Sequence, residues 1–384
     1  MALLRGDATA QARSAVPKWT VDARPVWRSG GVTGSGPLEW NGIGSALRLS
    51  SGEVVVADEG AREVRVVDAR GGYLRTLIRR GHGPAELDQL DRMFVVNDTV
   101  LVMEGSHAVQ VVVPASGVSK RTVLPSMAGH LRGVAVAAMT GGALVVQLRK
   151  LDLNGGGREP TFLRDSLRFA MLRLSDSSWR FLAAVPDVPR YSVAAGVAPV
   201  YPIGFAPTAQ VDGGIGVFCA GFTARYEVTC LDTAGRRVGG IRGSAAPGRR
   251  VTEADKRAFR LTVAGLREDG TSKYGGSLGE HRRRVAEAAR FADQYPAFAQ
   301  LLVARDGLIW MREFAPDDGL SERRTRANRR PSEWRIWDLR GHEVATCTLP
   351  ERFAPTDIGS DYVLGVARDE EDVEELRLYV LRKR

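Results

Sequence analysis

Apolar and polar positions alternate along most of this chain in short runs broken by glycine, aspartate and serine. Six runs share one character: GEVVVADEG (52–60), DTVLVMEG (98–105), GALVVQLR (142–149), GIGVFCAG (214–221), GLIWMREF (307–314) and DYVLGVAR (361–368). Each is followed by a second run: EVRVVDARG (63–71), AVQVVVPASG (108–117), RFAMLRLSDS (168–177), RYEVTCLDTAG (225–235), WRIWDLRG (334–341) and ELRLYVLRKR (375–384). Valine and aromatic residues at every second position, with Asp-x-x-Gly-like closures, are strand and hairpin signals. A less polar run precedes each first run, as in IGSALRLS (43–50) and LRGVAVAAM (131–139), and predicts an inner strand. An outer strand follows the second run in five units, among them YLRTLI, SWRFLAAV and HEVATCTL.

The units are related. GSGPLEW (34–40) and GHGPAEL (81–87) share G-x-G-P-x-E-apolar at an offset of 47 residues, and Val54, Val56, Val64 and Val66 match Val100, Val102, Val109 and Val111 downstream. A repeat of that length predicts a propeller or a solenoid. The last unit has no outer strand, whereas KWTVDARPVW (18–27) is a strand with no inner partners. Closure of the ring by this N-terminal strand leaves no sheet edge open at the seam. The prediction is an all-β, six-bladed β-propeller of four-stranded antiparallel blades. It occupies residues 18–384 as a single domain, after a disordered segment at 1–17.

One stretch departs from the β pattern. In VTEADKRAFRLTVAGL, Thr252 and Asp255 read as the N-cap and third residue of a capping box, with Phe259, Val263 and Leu266 on one helical face. In GEHRRRVAEAARFADQYP, Val285, Ala288, Ala289, Ala292 and Tyr295 share a face and Pro296 ends the helix. A two-helix insertion at 250–298, between blades 4 and 5, is therefore expected.

The repeat bears a resemblance. GSGPLEW, GHGPAEL, SSGEVVVADEG, RDGLIWMREF and the closing stretch from WRIWDLRG onward resemble the bacterial six-bladed β-propeller proteins related to NHL repeats, the TolB-like propeller group, over nearly the whole chain. These motifs specify blades and no chemistry. The resemblance implies a periplasmic or extracellular location at the cell envelope, as proteins of this kind are often exported or anchored there.

Composition modifies this picture modestly. Net charge is +9, and arginine supplies 48 of the 54 basic residues. That skew is what a GC-rich genome produces, and it also favours anionic partners. No apolar run approaches the roughly 18 residues of a membrane span. The N-terminus lacks the long apolar core of a complete signal peptide, although ATAQA resembles a cleavage region. A start codon assigned too late would account for both. Three cysteines cannot all pair. A turn centred on Phe222 and Thr223 sets Cys219 opposite Tyr226, so three buried thiols are expected.

Candidate chemistry comes last because little is specific. The five histidines form no metal-binding spacing, and there is no nucleophile elbow, P-loop or dinucleotide fingerprint. The long insertions, at 150–164, 250–298 and 315–332, fall in the loops between first and second runs or between outer and next inner strands. Those loops open on one face, which becomes the expected ligand face. The ends of the first runs rim it with Asp58, Glu59, Glu104, Arg149, Arg312, Glu313 and Arg368, and Arg80 and His82 join them from RRGHGPAEL (79–87). Asp58 and Glu104 in adjacent blades have the chemistry to hold Ca²⁺ or to act as acid and base, or simply to cap turns. No cofactor is expected beyond that option. The basic loop ERRTRANRR (322–330) suits an anionic small molecule but lacks the interleaved aromatics that nucleic acid requires. These residues point to a monomeric, non-enzymatic binding or protein-interaction module. The alternative is a metal-dependent, lactonase-like hydrolase or lyase with carboxylates at the central channel.

Overall fold

Runs such as Val54-Val55-Val56-Ala57 are apolar at every position because both faces of the strand are buried. In the computed structural model, Val54 and Val56 pack against Leu364, Val366, Leu376 and Leu378 near the C-terminus. Val55 and Ala57, on the other face, pack against Met93, Val100 and Val102 of the following sheet. A strand sandwiched between two neighbouring sheets loses its polar face, and the alternation survives only where a residue reaches the rim.

The structure describes residues 16–383 apart from 33, 106, 126–130, 151–161, 164–165, 193–199, 244–247, 267–272 and 321–329. It is all-β with two helices, in a propeller-like arrangement of antiparallel sheets. A five-stranded sheet carries Ile43–Arg48, Val54–Asp58, Glu63–Val67 and Tyr73–Arg80, with Glu86–Leu87 added in parallel to the last. Four-stranded sheets follow from Arg92–Val96 to Val118–Val123, from Leu131–Met139 to Trp179–Pro186, and from Ala209–Gly214 to Arg237–Arg242. A nine-stranded sheet takes the strands from Phe298–Val303 to Glu343–Leu349, those from Phe353–Ile358 to Glu374–Arg382, and two N-terminal strands. A small three-stranded sheet lies apart. Among the described residues, no helix is long and apolar enough to cross a membrane.

The N-terminal segment does pair with the last strand, but as two short strands instead of one. Lys18–Val21 runs parallel to Glu343–Leu349 and antiparallel to Glu374–Arg382, with Thr20 opposite Arg382. Trp27–Gly30 pairs with the same last strand, Trp27 opposite Leu378. Residues 22–26 loop out between them, where Pro25 has no N–H to give the ladder.

The shared motif is a turn with a common hydrogen bond. Gly36 N–H donates to Glu39 Oε1 (3.3 Å), and Gly83 N–H donates to Glu86 Oε2 (2.8 Å). The equivalent strand positions then hold each turn to its sheet. Arg65 donates to the carbonyls of Pro37 and Glu39, and Gln110 donates to that of Glu86. Aspartates close the second runs in a similar local way. Asp68 accepts from Arg70 and Gly72 N–H, and Asp338 from Arg340 and His342 N–H. The Ser178 hydroxyl and N–H, with Arg173, hold Asp176 down at about 2.

Two expectations fail for reasons of tertiary contact. Cys219 stands directly opposite Cys230 and the two form a disulfide, leaving Cys347 as the free, buried cysteine. The hairpin loop is longer than a tight turn at 222–223. Thr223 bonds outward to Thr208 and Ala297, and the buried Tyr226 ring packs on Phe298 and Trp337. The second helix also ends early. The helices are α1, Glu253–Ala264, with the capping box of Thr252 and Asp255 formed, and α2, Gly276–Glu287. Beyond Glu287 the backbone groups of Arg290, Ala292, Asp293 and Tyr295 bond to Gly204, Arg249 and Val251. Ala292 and Tyr295 therefore leave the helix before Pro296 is reached. Phe205, Phe259, Phe291, Tyr295 and Phe314 cluster where this insertion docks.

Candidate functional site

The inner strands surround a cavity of about 1110 Å³. Residues from Gly44 to Ser50, Asp91 to Asp98, Val136 to Thr140, Asp212 to Ile215, Leu302 to Asp306 and Thr356 to Tyr362 contribute to its wall. Each inner strand enters at the end where the first-to-second-run loops and the helical insertion lie, and leaves at a tight turn. The cavity thus has a decorated end and a plain end, with an apolar belt that includes Leu47, Val136, Ala138, Leu302 and Ile358.

At the plain end the carboxylates are held by close donors. Asp357 accepts from Arg48 N–H (2.8 Å), Arg305 Nε (2.8 Å) and the Tyr362 hydroxyl (3.0 Å). The Arg48 guanidinium lies 4.7 Å over the Tyr362 ring. Asp98 accepts from both the N–H and the hydroxyl of Ser50, and Lys383 pairs with Asp306. The bonds from Arg48 to Asp357 and from Ser50 to Asp98 join separate sheets, so these carboxylates work as clamps between neighbours. A carboxylate bonded to backbone and guanidinium donors is the stable way to bury that charge.

The other end is different. The Glu59 carboxyl lies across Gly44, where a Cβ would stand 1.9 Å from Glu59 Oε1, so a larger residue at 44 would displace the carboxyl from this position. Burial, and then the negative charges of Asp91, Glu374 and Asp58, raise the Glu59 pKa, against the pull of Arg92. Asp212, nearer the plain end, lines the cavity yet is enclosed by protein, and like Asp357 it accepts from the N–H of the last residue of the next inner strand. Burial raises it to about 6, although Val303 N–H donates to its Oδ2 (2.7 Å) and Arg92 acts to lower it. Arg92 thus lies within electrostatic reach of carboxylates from two other sheets, and its guanidinium makes no ion pair with any described side chain. Ser45 Oγ, in the same wall, is buried with no hydrogen-bond partner among the described residues.

Of the residues singled out from sequence, Glu59 alone lines this cavity. Asp58 is fully buried, accepting from Asn41 N–H (3.1 Å) and Ala61 N–H (3.0 Å), with Arg65 at 3.4 Å. Glu104 bonds Arg121 Nε at 2.7 Å, so the structure does not bring Asp58 and Glu104 together. Arg312 pairs with Asp318, Glu313 with Arg335, and Arg368 with Glu374, which itself accepts from Gly42 and Ile43 N–H. Arg80 and His82 are exposed on the outer edge of their sheet. The Arg149 side chain, residues 151–161 and 164 of the first insertion and residues 322–329 of the basic loop lie outside the described residues. Among the described residues, no three His, Cys, Asp or Glu side chains are grouped to hold a metal ion.

Arg92, Asp212 and Asp357 escaped the sequence reading because the inner strands are recognised by low polarity. The available signal was the exception to that rule. A charged residue recurs within or beside an otherwise apolar inner run, as Arg48, Arg92, Asp212 and Asp357 do.

No family model matches the chain, and no curated protein matches it. Solved structures do. A member of the DUF4221 family from Bacteroides vulgatus is similar with a TM-score of 0.55 at 9% identity, over 96% of this chain and 99% of that one. A protein named as exported from Bacteroides fragilis is similar at a TM-score of 0.47 and 12% identity, over 93% and 94% of the two chains. Regucalcin, a calcium-binding protein from Agrobacterium tumefaciens, is similar at 0.42 and 12%, over 95% and 96%. The likeness to the DUF4221 structure runs the whole length of both chains and is one of fold.

Proposed function

We propose that this chain is a six-bladed β-propeller, closed by its N-terminal strands, that works outside the cytoplasm as a non-catalytic binding module holding a small polar molecule in its central cavity. Six apolar clusters support the blade count, each between consecutive groups of strands. The last joins the 353–382 strands back to the first sheet. The nine-stranded sheet then divides into two blades that share Lys18–Val21. The Cys219–Cys230 disulfide suits an oxidising compartment such as the periplasm.

The observation that carries the binding role is the cavity itself. All six inner strands line it, and its plain-end carboxylates are committed to holding neighbouring blades together. A large pocket with an apolar belt and a few convergent polar groups is the usual form of a small-molecule site. Gly214 offers the test. It lines the cavity, and a Cβ there would meet nothing closer than Val303 O at 3.9 Å, so Gly214→Phe fills the space without a backbone clash. Compounds that raise the melting temperature of the wild type in a thermal-shift screen are expected to lose that effect on Gly214→Phe. Hits that stabilise both proteins equally would place the site elsewhere. Metal-dependent turnover of an ester or lactone by the wild type would replace binding with catalysis.

A further inference from the structure

Building on the cavity-binding reading, we propose that the molecule held in the cavity is a monocarboxylate with an apolar body, its carboxylate taken by Arg48 at the plain end. Arg48 lines the cavity, and both its backbone and its side chain are held in place. Its N–H donates to Asp357 Oδ2 (2.8 Å), and its guanidinium lies 4.7 Å over the Tyr362 ring. That ring is itself fixed. Its hydroxyl donates to Asp357 Oδ2 (3.0 Å), and it lies across Gly359, where a Cβ would stand 2.1 Å from Tyr362 Cε1. A guanidinium stacked on an aromatic face keeps its N–H edge for a planar acceptor, and a carboxylate matches that fork. Among the described residues no carboxylate forms an ion pair with Arg48. Asp357 is paired with Arg305, Asp306 with Lys383, and Asp98 accepts from Ser50.

Charge fixes the direction in which such a molecule lies. At the plain end Arg48, Arg305 and Lys383 balance Asp98, Asp306 and Asp357. The Arg48 fork can therefore take one anionic group, and a second meets net repulsion. At the decorated end Glu59 and Asp91 outnumber Arg92 and turn a carboxylate away. Between the ends, the belt that includes Leu47, Val136 and Leu302 offers apolar surface. Covering it with hydrocarbon is favourable in proportion to the area removed from water. A carboxylate at the plain end with an apolar body along the belt suits all three regions. A dicarboxylate leaves its second charge in the belt or against Glu59 and Asp91.

Titration calorimetry at pH 8 uses hexanoate as the probe, with hexan-1-ol, hexylamine and adipate as neutral, cationic and dianionic analogues of the same length. Hexanoate is expected to bind about tenfold more tightly than any of them. Arg48→Gln should weaken hexanoate about tenfold and change hexan-1-ol little. Its Tm should be kept, because the Arg48 bond that joins the sheets is made by the backbone. Should that variant unfold, the ranking of the four compounds on the wild type still decides. Equal binding of hexanoate and hexan-1-ol, or loss of hexanoate in Arg92→Gln with none in Arg48→Gln, would overturn the assignment to Arg48. The cavity would remain the site provided Gly214→Phe abolishes that binding. If none of the compounds binds, the carboxylate assignment fails, and a thermal-shift screen whose hits ignore Gly214→Phe would remove the cavity reading as well.

Discussion

Deleting residues 1–30 tests how the ring closes. The deletion removes both strands that pair with Glu374–Arg382, including Trp27 at 8% exposure and the buried Ser29. It also takes away Trp19, which packs on Trp310 at 6.2 Å between ring centroids. Losing a buried tryptophan costs about 3–5 kcal/mol. The ladder and the flanking bonds from Asp22 and Val26 N–H to Val380 and Leu378 O add about 1 kcal/mol each. The total exceeds about 5 kcal/mol, a large part of the roughly 5–15 kcal/mol that keeps a domain folded. A fall in Tm on the order of 10 °C is expected. The loss should also be local. In hydrogen exchange, amides of Glu374–Arg382 and Glu343–Leu349 should lose protection while Thr99–Glu104, on the far side of the ring, keeps its own. A peptide of residues 16–31 added in trans should restore Tm by mass action. An unchanged Tm, or protection lost evenly around the ring, would refute the closure.

Three other outcomes follow from particular contacts. Asp212 has a folded pKa of about 6 against an ordinary 3.8, so it binds its proton more tightly when folded. Its contribution favours folding at low pH and is lost as pH rises from about 3.8 to about 6. Relative to wild type, Asp212→Asn should therefore gain about 1–3 kcal/mol between pH 4 and pH 8 in urea titrations, after allowing for screening by cavity water; a difference that does not vary with pH would contradict the buried carboxylate. Replacing Cys219 and Cys230 together by alanine should cost roughly 3 kcal/mol through the freed unfolded chain, and mass spectrometry of the untreated wild type should find one free thiol, with three free thiols arguing against the pair. His82→Ser should leave Tm within the range of a neutral surface change, about 0.5 kcal/mol, whereas Glu86→Ala, which strips the Gly83 N–H of its acceptor, should lower it measurably; the reverse order would mean that the turn is held by the histidine.

Local chemistry was legible in the sequence wherever the interaction spans a few residues. Thr252 and Asp255 cap α1, Asp68 and Asp338 close hairpins, and Glu39 and Glu86 hold the same turn three residues upstream. The repeat itself was legible because two buried faces demand the same valines in each unit. Tertiary structure decided what depends on residues far apart in the chain. Tyr226 sinks into a neighbouring blade, lengthens its hairpin and so sets Cys219 against Cys230. Gly204 takes the backbone bonds that would have extended α2. Above all, an inner strand's pattern does not say which of its residues faces the axis of the ring. Arg92, Asp212 and Glu59 come from three blades, and only closure of the sheets around one axis gathers their charges into one cavity.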